Sequence, residues 1–392
     1  MPKFIVYYII IVHSIIIGGL LNTSQQYLPM LAYLYASPFL FLVTLQRLKM
    51  EQRDIIWGLL ILSILSTRIT HPESFRLSTV MYSILFIIGF VFFSKMLQKS
   101  RISYLHFSKF IRFIIFAYFF VLVIQQISLI LGLPVLNGIL YQGLKLNALA
   151  IEPSNIGQIL PIFMLFDIKM VEHLWGRKMT LKEYYNADRK KIGAAIYVLL
   201  TCGSVACIFV LFILSLYFFN KRNLLIGILS LFVLGGIFLS LDLPVTSRIR
   251  SLIPAVLSMD ASVIYGVDSS ASARIGPYII YANNFNIFNI NTWLGYGCDY
   301  AGEFMTTTLT GVFDGNTYGI GGLINFMLDY GLIAMFFFLR GVINLVGFRS
   351  FELFFFVVII SILPFNHYIL WLYMYMMYAL FYYKRVADYK FV

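Results

Sequence analysis

Apolar runs follow one another along almost the whole sequence, at 4–21, 27–45, 55–66, 77–97, 110–131, 156–171, 192–202, 204–219, 224–241, 320–339, 351–365 and 367–383. Most approach or reach the roughly 17–25 residues that cross a bilayer as a helix. This predicts an all-α polytopic membrane protein of about twelve transmembrane segments. Composition agrees: 60% of the 392 residues are hydrophobic and only 12% are charged, against roughly 25% charged in a soluble domain. Mean hydropathy is +0.86. Residues 4–21 read as an uncleaved first helix, because Gly18-Gly19 leads into Leu20-Leu21 and a second apolar run begins at Tyr27.

Charge sets the orientation. Short connections carry Arg47, Lys49 and Arg53, then Lys95, Lys99, Arg101 and Lys109, then Arg177, Lys178, Lys182, Arg189, Lys190 and Lys191, and the tail carries Lys384, Arg385 and Lys390. By the positive-inside rule these face the cytoplasm, as do both termini. The net charge of +12 then reflects basic loops against anionic membrane lipids, with no nucleic-acid partner implied. Residues 192–219 test the scheme. One long helix there would put every later loop on the wrong side, whereas a split near Thr201-Cys202-Gly203-Ser204 restores the pattern. A break at that depth is tolerated only inside protein or along a wet cavity.

The organisation that results is a transmembrane region over 1–241, a large extracytoplasmic loop over 242–319, and a C-terminal transmembrane region over 320–392. The large loop holds Arg248, Arg250 and Arg274 but no lysine. Three cysteines offer no disulfide framework, since Cys202 and Cys207 lie inside an apolar run and Cys298 stands alone. No Cys/His spacing for zinc and no nucleotide phosphate loop occurs, so neither a metal nor a cofactor is expected.

Two outer places gather polar residues. In Leu144–Asn155, Pro153 keeps Glu152 out of the helical region, while Ser154 or Asn155 is positioned to cap the following span. Glu152 is then a favourable charge at a helix start, or a general base or anchor for a sugar hydroxyl. In the large loop, Ser269–Pro277 forms a small-residue turn leading into a short amphipathic helix near Tyr278–Phe285, followed by a tight turn at Trp293–Gly297. Arg274 near a helix start opposes the dipole. It suits a bound phosphate gripped bidentately, or else an ion pair with Asp268 or a lipid headgroup. Arg248 and Arg250 suit headgroup contact. His13, Gln125 and Gln126 are expected to bond helix to helix, and Asp329 to face a partner or a cavity.

The order of these parts resembles the Wzy-type O-antigen and exopolysaccharide polymerases, relatives of the O-antigen ligases, over roughly residues 110–340. The likeness rests on Asn147-x-x-x-x-Glu152-Pro153-Ser154, the broken short span, Ser270-x-x-x-Arg274, Trp293-Leu294-Gly295-Tyr296-Gly297, and Asn316-Thr317-Tyr318-Gly319 running into Tyr330-Gly331-Leu332. The resemblance implies a metal-independent glycosyltransferase of the bacterial inner membrane. Its substrate would be oligosaccharide repeat units on undecaprenyl pyrophosphate, and a chain-length regulator protein is an implied partner. It implies Arg274 on the donor pyrophosphate, Glu152 on the acceptor, and Lys145 and Arg248 as supporting cations with Arg250. Tyr278, Tyr281, Trp293 and Tyr296 would stack on sugar faces. The family often has arginine where Lys145 stands, so this chain keeps the charge and loses the fork. Asp314-Gly315-Asn316 stands where the ligases carry histidine, which favours polymerase. A ligase and a membrane transporter remain the alternatives.

Overall fold

The computed structural model describes residues 2–16, 27–45, 51–70, 76–137, 145–219, 244–267, 275, 278–279, 281–282, 285–298, 300 and 322–388. Among them it is helical, with no strand. The elements are α1 (Pro2–Ser14), α2 (Leu28–Leu45), α3 (Gln52–Thr70), α4 (Leu77–Ser100), α5 (Tyr104–Ile130), α6 (Pro153–Trp175), α7 (Leu181–Ala187), α8 (Arg189–Thr201), α9 (Val205–Leu216), α10 (Pro244–Leu257), α11 (Ala261–Val267), α12 (Ile290–Leu294), α13 (Gly322–Val346), α14 (Phe351–Ile362) and α15 (Tyr368–Asp388). α4, α5, α6 and α13 are long and apolar enough to cross a membrane, and α1, α2, α9 and α14 contain shorter apolar helices. The protein is therefore an all-α, membrane-embedded bundle. The expected span at 224–241 lies outside the described residues.

A helix that is apolar on all sides belongs in the middle of a bundle, and α6 and α15 sit there. Residues 369–377 of α15 are fully buried, and Trp371, Tyr373 and Tyr375 pack among Phe86, Phe90, Phe93 and Phe356 from α4 and α14. α5 turns much of its apolar surface outward: Phe113, Phe120 and Ile127 are exposed, as lipid-facing side chains are.

The predicted break is present. α8 and α9 are separated at Cys202–Ser204, with Gly203 in the left-handed region at φ +76°. Both segments pack along α6, in opposite directions. Near the start of α8, Lys191 Nζ lies 2.7 Å from Asp167 in the later part of α6. At the start of α9, the Cys207 thiol lies 3.3 Å from the Pro153 carbonyl at the first turn of α6. Beyond the end of α9, the Tyr217 hydroxyl accepts from Lys169 at 2.9 Å and donates to Glu172 near the end of α6. Each arm is about 18–20 Å long at 1.5 Å per residue, a helical hairpin set against a central helix. Close approach is possible because Gly157 has no side chain; a Cβ there would come within 2.8 Å of Cys207 Cα.

The break also brings the free thiols of Cys202 and Cys207, both inside the apolar run, to 3.1 Å. Two expectations change. His13 bonds its own helix, Nδ1 to the Ile9 carbonyl at 2.8 Å, and sets its ring edge-on to Tyr375 at 4.9 Å. Gln125 serves a loop rather than a neighbouring helix. Gln126 does link helices, accepting from Tyr197 at 2.6 Å.

Charged side chains collect at one end of the bundle. There the start of α3 meets the ends of α4 and α15: Lys95 reaches Asp54 at 2.5 Å with both side chains buried, and Gln98 and Arg53 donate to Tyr378 at 2.8 and 3.2 Å. Lys169 and Lys384 lie 3.4 and 3.8 Å from Glu352. Nearby, α7 begins with a capping box at Thr180 and Glu183, and hydrogen bonds from Arg177 and Thr180 hold the Glu183 carboxyl down to about 2. Buried charges persist when paired, since an unpaired one is strongly destabilising. The opposite end is rich in amides and hydroxyls and holds the buried carboxylate of Asp329.

Candidate functional site

The amide-rich end is built around the mouth of α6. Glu152 is its N-cap residue, extended at φ −128° and ψ 151°, with Pro153 supplying the first helical position. No side chain caps the helix, contrary to the role expected of Ser154 or Asn155. Ser154 instead donates to the Glu152 carboxylate at 3.2 Å, and Asn155 donates to the Tyr368 hydroxyl at 3.0 Å. The Glu152 side chain is exposed although the helix it heads is almost entirely buried. A carboxylate at a helix start interacts favourably with the helix dipole.

The approach to Glu152 is irregular backbone, and three buried amide side chains satisfy it. Gln125, near the end of α5, donates to the Leu136 carbonyl at 2.7 Å and accepts from Ala148 N–H at 2.9 Å. Asn147 donates to the carbonyls of Asn137 and Ala150 at 3.0 and 2.8 Å. Asn137 donates to the Ala148 carbonyl at 2.8 Å. Two backbone bonds complete the clamp, Leu146 to Cys202 and Ile16 to Leu149. Lys145 and Glu152 thus belong to one fixed segment, with Lys145 exposed. Buried backbone groups must be paired, and here amides do it. Sequence gave no warning of these partners, because a lone Gln or Asn in an apolar context carries no spacing signal.

A second construction joins two motifs that are distant in sequence. α13 is kinked at Gly331, where φ is +79° and ψ 174°. The kink removes the normal helical acceptors' partners, and the Trp293–Gly297 turn replaces them. Tyr296 N–H donates to the Leu328 carbonyl at 2.8 Å and Gly297 N–H to the Asp329 carbonyl at 3.3 Å. The fit requires two glycines. A Cβ on Gly331 would lie 2.3 Å from the Trp293 carbonyl oxygen, and one on Gly295 2.4 Å from the Asp329 carbonyl oxygen.

This turn gathers the aromatics. Tyr296 stacks on Tyr300 at 4.7 Å, and with Tyr278 and Tyr281 they pack on Ile324 and Leu328. Tyr278 spends its hydroxyl on the Ser361 carbonyl at 2.9 Å. Burial pushes the Tyr278 phenol up, and burial with Tyr296 nearby does the same for Tyr281, so both stay protonated at neutral pH. Trp293 fixes its ring through Nε1 to the Ile287 carbonyl at 2.9 Å and leaves much of its surface exposed. Ile275, Tyr278, Ile279, Tyr281 and Ala282 fall in or beside the short helix expected before this turn, and all five are helical.

The loop arginines are distributed differently. Arg250 is exposed on α10, and α10 packs with α11 and Ile279 through Ala255 and Ile264 in a small core of their own. The Arg248 side chain, Arg274 and Asn316 lie outside the described residues.

Residues that sequence reasoning passed over lie in the turn between α14 and α15. Asn366 accepts from Ser83 at 2.8 Å, and Ser83 also meets the Tyr330 hydroxyl at 2.9 Å. Cys298, apparently solitary in sequence, sits 3.3 Å from the same hydroxyl. His367 stacks on Tyr368 at 4.6 Å, and Tyr368 is the partner of Asn155. One short turn therefore connects the Glu152 mouth with the Asp329 side of α13. No family model, curated protein or solved structure matches this chain.

Proposed function

We propose that the protein is a polysaccharide polymerase: a glycosyltransferase of the bacterial inner membrane that joins oligosaccharide repeat units carried on undecaprenyl pyrophosphate. In this reading about twelve segments cross the membrane, the charged end of the bundle faces the cytoplasm, and the Glu152 mouth and the 242–319 loop face outward. The resemblance to Wzy-type polymerases motivates the reading.

The observation that carries it is the availability of Glu152. Of the described glutamates, Glu51, Glu172, Glu183 and Glu352 are each within ion-pair distance of a lysine or arginine. Glu152 is exposed and makes no ion pair with any described residue. A rigid segment presenting an exposed carboxylate with no ion pair to any described residue is what proton abstraction needs.

The acceptor sugar hydroxyl gives its proton to Glu152. Its oxygen forms a bond to the anomeric carbon of the donor, and the bond from that carbon to the phosphate oxygen breaks. The electron pair leaves with undecaprenyl pyrophosphate. Arg274 grips the departing diphosphate, with Lys145, Arg248 and Arg250 adding positive charge as its negative charge grows.

Glu152→Gln and Arg274→Ala, expressed in the host, are expected to insert normally and abolish the polymer ladder while single-repeat bands remain on a gel of surface polysaccharide. Loss of a general base slows such steps by about 10²–10⁴-fold. Long polymer persisting in either variant removes that residue from the mechanism.

A further inference from the structure

The hairpin of α10 and α11 is apolar over more of its surface than its own partners cover. At about 100° per residue, α10 sets Ala255, Leu252, Val256, Ile253 and Leu257 side by side, an apolar arc of roughly 200°. About 100° suffices for a helix packed on one side. Ala255 is buried with Ile264 and Ile279, and Leu252 and Val256 are partly buried against them, which uses the first part of the arc. The rest is open: Ile253 is 46% exposed and Leu257 76%. On α11, Val263 and Val267 are exposed as well, and four residues apart they share a face.

The turn between the helices adds Met259. A helix that ends on a left-handed residue usually does so on glycine or asparagine. Here methionine takes that conformation, at φ +53°, with its side chain exposed. The backbone of the turn is satisfied from within. Ser258 and Met259 N–H donate to the Pro254 and Val256 carbonyls at 3.0 and 3.1 Å, and Ser262 N–H donates to Asp260 at 2.8 Å. A turn so bonded can enter an apolar medium without stranding its polar groups.

What covers this face follows from where the hairpin is moored. Ile279 belongs to the hairpin core, and its neighbour Tyr278 donates to the Ser361 carbonyl at 2.9 Å, in the last turn of α14. On α14, Phe354, Val357 and Ile362 are exposed, as side chains of a membrane-embedded helix are where they meet lipid. The hairpin thus begins where a lipid-facing surface ends. Arg250, two turns before Leu257, borders the open arc, the place of a cation in a helix lying among headgroups. The charged side chains described on the hairpin, Arg250 and Asp260, are both exposed, and headgroup depth keeps them in contact with water. Continuity with lipid and a cation at the edge select a bilayer over a second copy of the chain.

We propose that α10 and α11 form a monotopic hairpin laid into the membrane surface, with Ile253, Leu257, Met259 and the α11 valines against phospholipid acyl chains and Arg250 at the headgroups. Lipid contact of this kind does not depend on the polymerase reading.

The test is power-saturation electron paramagnetic resonance of nitroxide labels on single cysteines. They are placed in the full-length chain with Cys202, Cys207 and Cys298 replaced by serine, reconstituted in phosphatidylethanolamine–phosphatidylglycerol vesicles. Oxygen collides preferentially with labels among acyl chains, and a nickel chelate with labels in water. Leu257→Cys and Val263→Cys should give an oxygen-to-nickel collision ratio severalfold above that of Ser251→Cys, which lies across α10 from Ile253, and of Lys178→Cys at the charged end of the bundle. All four positions are exposed, so the labels displace no core side chain, and Val263→Cys keeps the test decisive if Leu257→Cys does not insert. Ratios at Leu257 and Val263 no higher than at Ser251 overturn the proposal, because the hairpin then stands in water. Weak collision with both reagents overturns it too, because protein then covers the face.

Discussion

Replacing Gly331 by alanine should unseat the Trp293–Gly297 turn, and the size of the effect follows from the geometry. At φ +79° and ψ 174° the residue occupies backbone space that is essentially reserved for glycine, a strain of about 1–3 kcal/mol for any other residue. The added methyl would also meet backbone rather than movable side chains, 2.3 Å from the Trp293 oxygen and 2.4 Å from Gly295 N. Overpacking of that kind adds about 1–3 kcal/mol. The escape is for the turn to lift, which forfeits the bonds to the Leu328 and Asp329 carbonyls, about 1 kcal/mol each. We expect a net loss of about 3–5 kcal/mol. Gly347 supplies the control: its φ is +84° but nothing lies within 4 Å of its Cβ position, so alanine there carries backbone strain alone, about 1 kcal/mol. Denaturant unfolding in mild detergent, followed by tryptophan fluorescence, measures both. Equal losses for Gly331→Ala and Gly347→Ala would refute the claim that the turn is locked onto the kink.

Two more predictions concern the rest of the bundle. Lys95→Met strands Asp54 in a buried site and should destabilise the chain by about 3–5 kcal/mol, whereas Lys95→Met with Asp54→Leu recovers most of that; the same unfolding assay compares them. Mild oxidation of the purified protein with a disulfide reagent should join Cys202 to Cys207, whose sulfurs are 3.1 Å apart, so that peptide mass spectrometry finds the pair linked and Cys298 free; linkage of Cys298 to either one contradicts the hairpin geometry.

How much of this was legible beforehand depended on the kind of signal. The break at Cys202–Ser204 was, because one long helix over 192–219 would put every later loop on the wrong side. The extended backbone of Glu152 was as well, because proline restricts the residue before it. Side-chain partners were not. Lys95 and Lys191 read as loop charges, yet they form buried pairs with Asp54 and Asp167, since sequence spacing does not reveal which helix ends converge. The glycines of Trp293–Gly297 and Tyr330–Gly331 were visible as separate turns. That each glycine exists to admit the other's backbone is a three-dimensional fact. Asp329 was expected to face a partner or a cavity, and a cavity lies beside it; Asn366 carried no mark at all.

The central claim is that the Glu152 mouth and the Trp293 turn lie outside the membrane while the charged end lies within the cell. In a chain with Cys202, Cys207 and Cys298 replaced by serine, single cysteines at Phe288 and Lys178, both exposed, report the two ends to a membrane-impermeant maleimide. The account predicts labelling of Phe288→Cys in intact cells, and of Lys178→Cys only after permeabilisation. The reverse pattern would place Glu152 in the cytoplasm and contradict the account.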